Sequence, residues 1–334
     1  MTAFTRRNLY WTMILIVLAY GSLAGCRRLV VVPPTERPTT TPTPRSTHLP
    51  PAATPLPLGS EQNPVHVLFP IIESGRSEQS IASAADELAP ELAQSSGLAV
   101  EVRVVQTDAE ALAELCASTP EQVTVAWLSG VGYAAAYAQG CGSAALHVRR
   151  GERDQASAGM EVVLYGSRAA GGTSLENLES KRVCRLGVDD LNTWLIPLLL
   201  LRGGGEELMA SLTVEDYEDL DAILVALDEG DCAAAGMSAA DFAERASAAL
   251  RASVVTLAES AEIPFSVLVI PDFLPLGQAN ALIDAFTSIG NGARSSLLSP
   301  LLLQNEIAGA EDADFARLRA FFSQAGINLA DLGS

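Results

Sequence analysis

Basic residues are scarce in this chain. Lys and Arg number 21 against 40 Asp and Glu, for a net charge of −19. So acidic a surface repels nucleic acid and anionic lipid headgroups, so no nucleic-acid partner is expected. It favours a cationic or neutral solute over an anion, although a cleft sets its own local field. Histidine is rarer still: His48, His66 and His147 are the three, and they lie far apart. With no Ser-His-Asp set and no paired-carboxylate spacing, hydrolytic chemistry has no legible carrier, and the chain does not read as an enzyme. No CxxC occurs, so the usual zinc spacing is missing and neither a metal nor a cofactor is expected. There is no unbroken run of the ~20 apolar residues a membrane-spanning helix needs. The nearest approach, Tyr10 to Tyr20, stops at Gly21-Ser22.

That short run has a meaning of its own. Arg6 and Arg7 precede it, and Leu23-Ala24-Gly25-Cys26 follows it. A positive start, an apolar core and small residues before a cleavage point make a secretory signal peptide over residues 1–25. The end of the segment resembles a bacterial lipobox, in which the cysteine becomes the lipidated first residue of the mature protein. Cys26 is therefore the expected lipidation site, and the chain is expected to be extracytoplasmic and anchored to the cell membrane. Residues 33–58 then read PPTERPTTTPTPRSTHLPPAATPLPL. Such a segment cannot bury enough apolar surface to offset its ordering entropy. It is expected to be extended, at about 3 Å per residue. Residues 26–60 thus form a tether.

The remainder is long enough for one large domain or two smaller lobes, and 49% of the chain is apolar. Strand and helix patterns alternate. Val65–Phe69, Val100–Val105 and Val123–Leu128 read as strands. Helices are expected over Gln79–Ser95 and Ala109–Ala117 and from Tyr133. A second region repeats the pattern, with strands at Val183–Val188 and Ala233–Gly236 around a helix at Trp194–Leu201. Apolar strands between helices predict an α/β fold with two parallel-dominated sheets covered on both faces. Ligands of such sheets bind beyond the carboxyl ends of the strands. Glu161–Gly166 and Val254–Ile270 read as two crossings between lobes. The first lobe is then 61–163 with 263–334, and the second is 164–262 with the hinge segments.

Several stretches, in this order, resemble one family. They are Ala126-Trp127-Leu128-Ser129-Gly130-Val131-Gly132-Tyr133, Ser174–Lys181, Leu195-Ile196-Pro197, Glu262-Ile263-Pro264 and Pro271-Asp272-Phe273-Leu274-Pro275. From residue 64 to about 330 the chain is similar to the type II periplasmic (solute) binding proteins. The closest likeness is to the phosphate/phosphite/phosphonate-binding group of ABC transporters. The resemblance implies a monomeric, clam-shaped protein that closes over a small ligand and docks on an ABC permease. It also implies an oxyanion gripped by hydroxyls and free amides at a second-lobe helix start. This chain departs from the family there, where Asp190-Leu191-Asn192 precedes Thr193-Trp194. A carboxylate at that place repels a dianion by several kcal/mol in a partly closed cleft. An amine- or hydroxyl-rich solute is the alternative ligand, and sensing or scavenging the alternative to transport. The family's second-lobe histidine is also missing from Tyr217–Asp221.

Candidate contacts follow from position. Glu73 and Ser74 succeed the first strand. Trp127 reads as a cleft wall or a core residue. Ser129, Gly130 and Tyr133 open a helix, and Tyr133 reads equally as packing beneath it. Asp190, Asn192 and Thr193 are ligand contacts or helix caps, and one residue can be both. Met237-Ser238 is a further, weaker pair.

Beyond Cys26 there are four cysteines, an even number suited to an oxidising compartment. Cys116 and Cys141 each end a helix flanking one strand. Cys184 and Cys232 open neighbouring strands. The expected bridges are Cys116–Cys141 and Cys184–Cys232, with buried free thiols as the alternative. None of the four follows a strand's carboxyl end, where a cleft nucleophile belongs.

Overall fold

A computed structural model describes residues 56–71, 77–152 and 156–331. The expected signal peptide, the expected lipidation site Cys26, the expected tether up to residue 55, Glu73 and Ser74 lie outside the described residues.

The first sheet contains β1 (Val65–Pro70), β2 (Val100–Val105), β3 (Thr124–Leu128) and β4 (Ser143–Arg149). The chain then passes through β5 (Gly159–Met160) to a second sheet. That sheet holds β6 (Val162–Ser167), β7 (Arg182–Arg185), β8 (Thr213–Asp216), β9 (Ala234–Ser238) and β10 (Val254–Glu259). The chain returns through β11 (Ile263–Pro264) and completes the first sheet with β12 (Val267–Ile270) and β13 (Glu306–Gly309). The strand orders are β13-β4-β12-β3-β1-β2 and β10-β6-β9-β7-β8.

Period-two patterning sets the layers. In β1, Val65, Val67 and Phe69 face one core while Leu68 faces another. In β3, Val125 and Trp127 share the first face, and Ala126 and Leu128 the second. The first face is covered by α1 (Glu78–Ser96) and the long helix Leu276–Asn291, through Leu88, Leu92, Leu282 and Phe286. The second is covered by α2 (Asp108–Cys116), α3 (Gly130–Gln139) and the C-terminal helix Ala316–Gln324. With both faces buried, β3 is apolar apart from Thr124 at its start, and all five of its residues are buried.

The fold class stands, but the parallel proportion expected from sequence is corrected. Only β1–β2, β1–β3, β7–β8 and β7–β9 pair in parallel. The other five pairings within the two sheets are antiparallel. The double crossing accounts for four of the five: β6, β10 and β12 adjoin the crossings and run against the strands they join, and β13 adds the fifth by pairing antiparallel with β4. The two crossings also pair with each other, Ile263 opposite Met160 and Pro264 opposite Gly159. Gly159 is required there, because a Cβ would collide with the Ile263 carbonyl.

The boundaries near residue 190 also differ from expectation. β7 stops at Arg185, since the Leu186 amide turns to the Thr193 hydroxyl, 3.0 Å away. A π-helical turn, Leu191–Leu195, then leads into α4 (Ile196–Arg202).

Candidate functional site

The carboxyl ends of β1 and β3 lie side by side and open on a cavity of about 240 Å³. Drug-sized ligands occupy pockets of ~300–1,000 Å³, so this one suits a small solute. Phe69, Trp127, Ser129 and Gly130 line it from the first sheet and Ile263 to Ser266 from the return crossing. Met160 adds the outgoing crossing, and Leu191 adds the segment that follows β7. The cavity thus lies where both crossings and the starts of two helical segments meet.

At the start of α3 the protein supplies its own carboxyl group. Ser129 caps the helix, its hydroxyl accepting from the Gly132 amide at 3.2 Å. The Asp108 carboxylate accepts in turn from the Ser129 amide at 3.1 Å and from the Ser129 hydroxyl. Burial pushes the Asp108 pKa up, and the hydrogen bonds from Ser129 and Gly132 oppose that shift. Gly132 makes the approach feasible, since a Cβ there would sit 2.5 Å from Asp108 Oδ2. Gly130 likewise lets the helix start press on Pro264, which a Cβ would meet at 2.7 Å.

The second helix start is filled in the same manner. Asp190 Oδ1 accepts from the Asn192 amide at 3.1 Å, the Thr193 amide at 2.6 Å and the Thr193 hydroxyl at 2.8 Å. Asp190 caps this turn, Asn192 and Thr193 donate to it, and none of the three lines the cavity; Leu191 does. Thr193 is buried and bridges Asp190 to the Leu186 amide.

Tyr133 is placed away from the cavity. Its phenol donates to Asp312 Oδ1 at 2.9 Å and accepts from Arg319 Nη1 at 2.8 Å, with Phe315 4.7 Å from its ring. Burial and Asp312 push its pKa up. It packs beneath α3 because its hydroxyl finds these partners only on the C-terminal helical segment. Met237 is buried in the second sheet's core, and Ser238 caps the next helix by accepting from the Asp241 amide at 3.0 Å. Trp127 is both core and wall: fully buried, edge-on to Phe286 at 5.5 Å, and lining the cavity.

Two cavity residues escaped the sequence reading. Asp108 looks like an ordinary first-turn helix acid, and its bond to Ser129 spans 21 positions. Arg150 looks like a solvated loop cation. Its guanidinium instead donates to the Leu302 carbonyl at 3.0 Å and lies 4.3 Å from the Phe265 ring. Burial lowers its pKa.

Both expected disulfides are present, Cys116–Cys141 and Cys184–Cys232, with Cα separations of 4.7 and 5.9 Å. Both separations fall in the normal disulfide range. Among the described residues, no group of three or more His, Cys, Asp or Glu is placed to hold a metal ion. No described helix is long and apolar enough to cross a membrane.

Two mixed sheets joined by a double crossing, with a small cavity against it, define a type II periplasmic binding protein. A family profile described as ABC transporter, phosphonate, periplasmic substrate-binding protein matches residues 71–316, well over half the chain. The chain belongs to that family. No curated protein matches it. Among solved structures it is similar to a Xanthomonas citri protein bound to ATP, at 13% identity and TM-score 0.55. That match covers 81% of this chain and 99% of the other. A Mycoplasma hyorhinis protein described as a candidate thiamine pyrophosphate transporter matches at 10% identity and TM-score 0.51, covering 78% and 98%. A binding-protein component of an ABC phosphonate transporter from Pseudomonas aeruginosa matches at 16% identity and TM-score 0.47, covering 79% and 87%.

Proposed function

We propose that this chain is a lipid-anchored extracytoplasmic capture protein that delivers a small solute to an ABC permease. Cys26 carries the lipid, and residues 26–60 hold the binding domain clear of the bilayer. The lobes are 61–163 with 263–334, and 164–262, and they close as a monomer about the β5–β11 crossing. The carrying observation is the cavity's position, walled by the first sheet, by both crossings and by Leu191. Only a ligand that both lobes touch can hold such a clam closed.

The family makes phosphonate, phosphite and phosphate the first solutes to try. The amine- or hydroxyl-rich alternative loses its motive, because Asp190 already accepts three internal hydrogen bonds and does not line the cavity. Thermal denaturation of the full-length chain against oxyanions and small carboxylates tests the capture reading. Ligand at 100 times its dissociation constant adds about 2.7 kcal/mol. Silence across the panel overturns capture. Radiolabelled palmitate should enter the wild type and not Cys26→Ser; equal labelling overturns the anchor.

A further inference from the structure

A second cavity, of about 350 Å³, also touches the double crossing. Ala158 lines it from the outgoing chain, Glu262 and Pro264 from the return, and His147 and Phe315 from the first sheet and its C-terminal helical cover. His147 stands in mid-sheet, opposite Val267 on β12 and Ala308 on β13, so its backbone is held on both edges. Its ring meets Phe315 edge-on, with centroids 6.3 Å apart. The ring is built into this wall as a neutral group. Nδ1 is buried and, among the described residues, has no hydrogen-bond partner. A neutral imidazole can keep that nitrogen as a bare acceptor, but an imidazolium carries N–H on both nitrogens. A proton taken up here therefore creates a buried, charged donor with nothing to donate to, which is far costlier than an unmet lone pair.

The surrounding charges do not reverse this. Asp314 and Arg317 reach the cavity from the C-terminal helical segment and Glu262 from the return crossing. Glu306 acts on the ring from β13 and Arg149 from β4. The carboxylates favour the imidazolium and Arg149 opposes it, but burial outweighs them and holds the pKa below 6.5. Glu262, Asp314 and Arg317 are exposed, so solvent screens them. A protonated ring thus gains a partner only where the wall beside it parts. β4 is paired on both edges, and Phe315 packs on Tyr133, whose phenol is tied to Asp312 and Arg319. The crossing is the weakest wall. β5 and β11 share two residue pairs, extended by the Phe265 amide, which donates to the Ala158 carbonyl at 3.1 Å.

We propose that His147 is a proton switch on the double crossing: neutral, it lets β5 and β11 seat against the first sheet; protonated, it unseats them, so that acid loosens the hinge. The proposal rests on the capture reading for the crossing's role as hinge.

Amide hydrogen exchange of the full-length chain, corrected for the intrinsic effect of pH, tests it without any solute. The Phe265 amide reports seating of the crossing. If the unseated state has an ordinary histidine pKa, this amide should exchange up to about thirtyfold faster at about pH 5 than at about pH 7.5. Unseating exposes little surface, so low urea should leave the accelerated rate unchanged, whereas exchange through whole-chain unfolding climbs steeply with urea. His147→Gln should remove the acid response, and His66→Gln, on β1 beside Glu101, should keep it. Proton NMR of the wild type should place the His147 ring titration below 6.5, a measurement that does not depend on the variant folding. A Phe265 rate indifferent to pH overturns the proposal. So does acid acceleration that persists in His147→Gln, or that climbs with urea in step with the amides of β3, and so does a ring that titrates at or above 6.5. Each of these outcomes leaves capture standing, because no solute takes part in the measurement.

Discussion

Replacing Cys184 and Cys232 together by alanine should cost the protein about 4–5 kcal/mol. The bridge joins positions 48 apart and closes a loop containing α4, β8 and the helix Leu220–Glu229. Chain entropy for a loop of that length gives ~4 kcal/mol. Both half-cystines are fully buried in the second sheet's core, so truncation leaves small voids worth ~1 kcal/mol more. Against a domain stability of ~5–15 kcal/mol, that is a large share. The Cys116–Cys141 loop spans 25 positions and predicts ~3.5 kcal/mol on the same basis.

Urea denaturation followed by tryptophan fluorescence reads the loss. Trp127 reports on the first sheet's core, and Trp194 lies against the Arg185 guanidinium, 4.4 Å from its ring centroid, beside the second sheet. The urea slope should also rise, because an uncrosslinked denatured chain exposes more surface. Wild type under reductant should resemble the double variant, short of the void contribution. A loss under ~1 kcal/mol would refute the entropic reasoning. Intact-mass analysis finding four alkylatable thiols in protein isolated without reductant would refute the bridges themselves.

Tyr133→Phe should cost about 1.5 kcal/mol, since Asp312 keeps the Ala144 amide and Arg319 keeps the Asp312 carbonyl. Ligand affinity should be unchanged by calorimetry, because Tyr133 lies off the cavity; a lost affinity would contradict that placement. Gly132→Ala should cost ~1–3 kcal/mol in urea by forcing Asp108 off the helix start. An unchanged midpoint would mean that the carboxylate does not sit there. Burial lowers the His147 pKa below its ordinary 6.5, so the unfolded chain binds more protons in that window. Stability should therefore fall as pH drops below 6.5, and His147→Gln should flatten that limb of the curve.

What the sequence made legible was whatever local pattern carries. β1 and β3 are mainly apolar runs between helices, β2 alternates valine with Glu101 and Arg103, and β1 and β2 were found within a residue of their ends. β8 went unseen because all four of its residues are exposed, so no burial pattern marks it. β4 and β13 hide because they are only partly buried and belong to the sheet through antiparallel pairing with distant segments. The cavity shows the same limit. Ser129 and Gly130 announce a helix start, and they line it. Asp108 and Arg150 acquire their roles only through partners 21 and 152 positions away. The ambiguity at Asp190 was real: caps and oxyanion contacts draw on the same residue types, and the structure shows Asp190 in the capping geometry.

The same physics makes Asp108→Asn a sharp probe of the cavity. A buried acid with a raised pKa holds its proton in the folded state at pH values where the unfolded chain has released it. Stability contributed by that proton is present at low pH and is lost as pH rises from 3.8 through the folded value. Above that value the penalty is constant. Asparagine keeps an oxygen to accept from Ser129 while removing the charge. The variant should match wild type in acid, equal or exceed it at neutral pH, and show a flatter stability curve between. Its effect on binding should be larger. Removing a negative charge from the lining of this cavity favours every anion and a dianion most. Methylphosphonate should therefore gain more affinity than isovalerate. Equal gains would mean that Asp108 is already neutral when ligand enters. A variant less stable than wild type at neutral pH would show that the charged carboxylate favours folding, contrary to its buried setting.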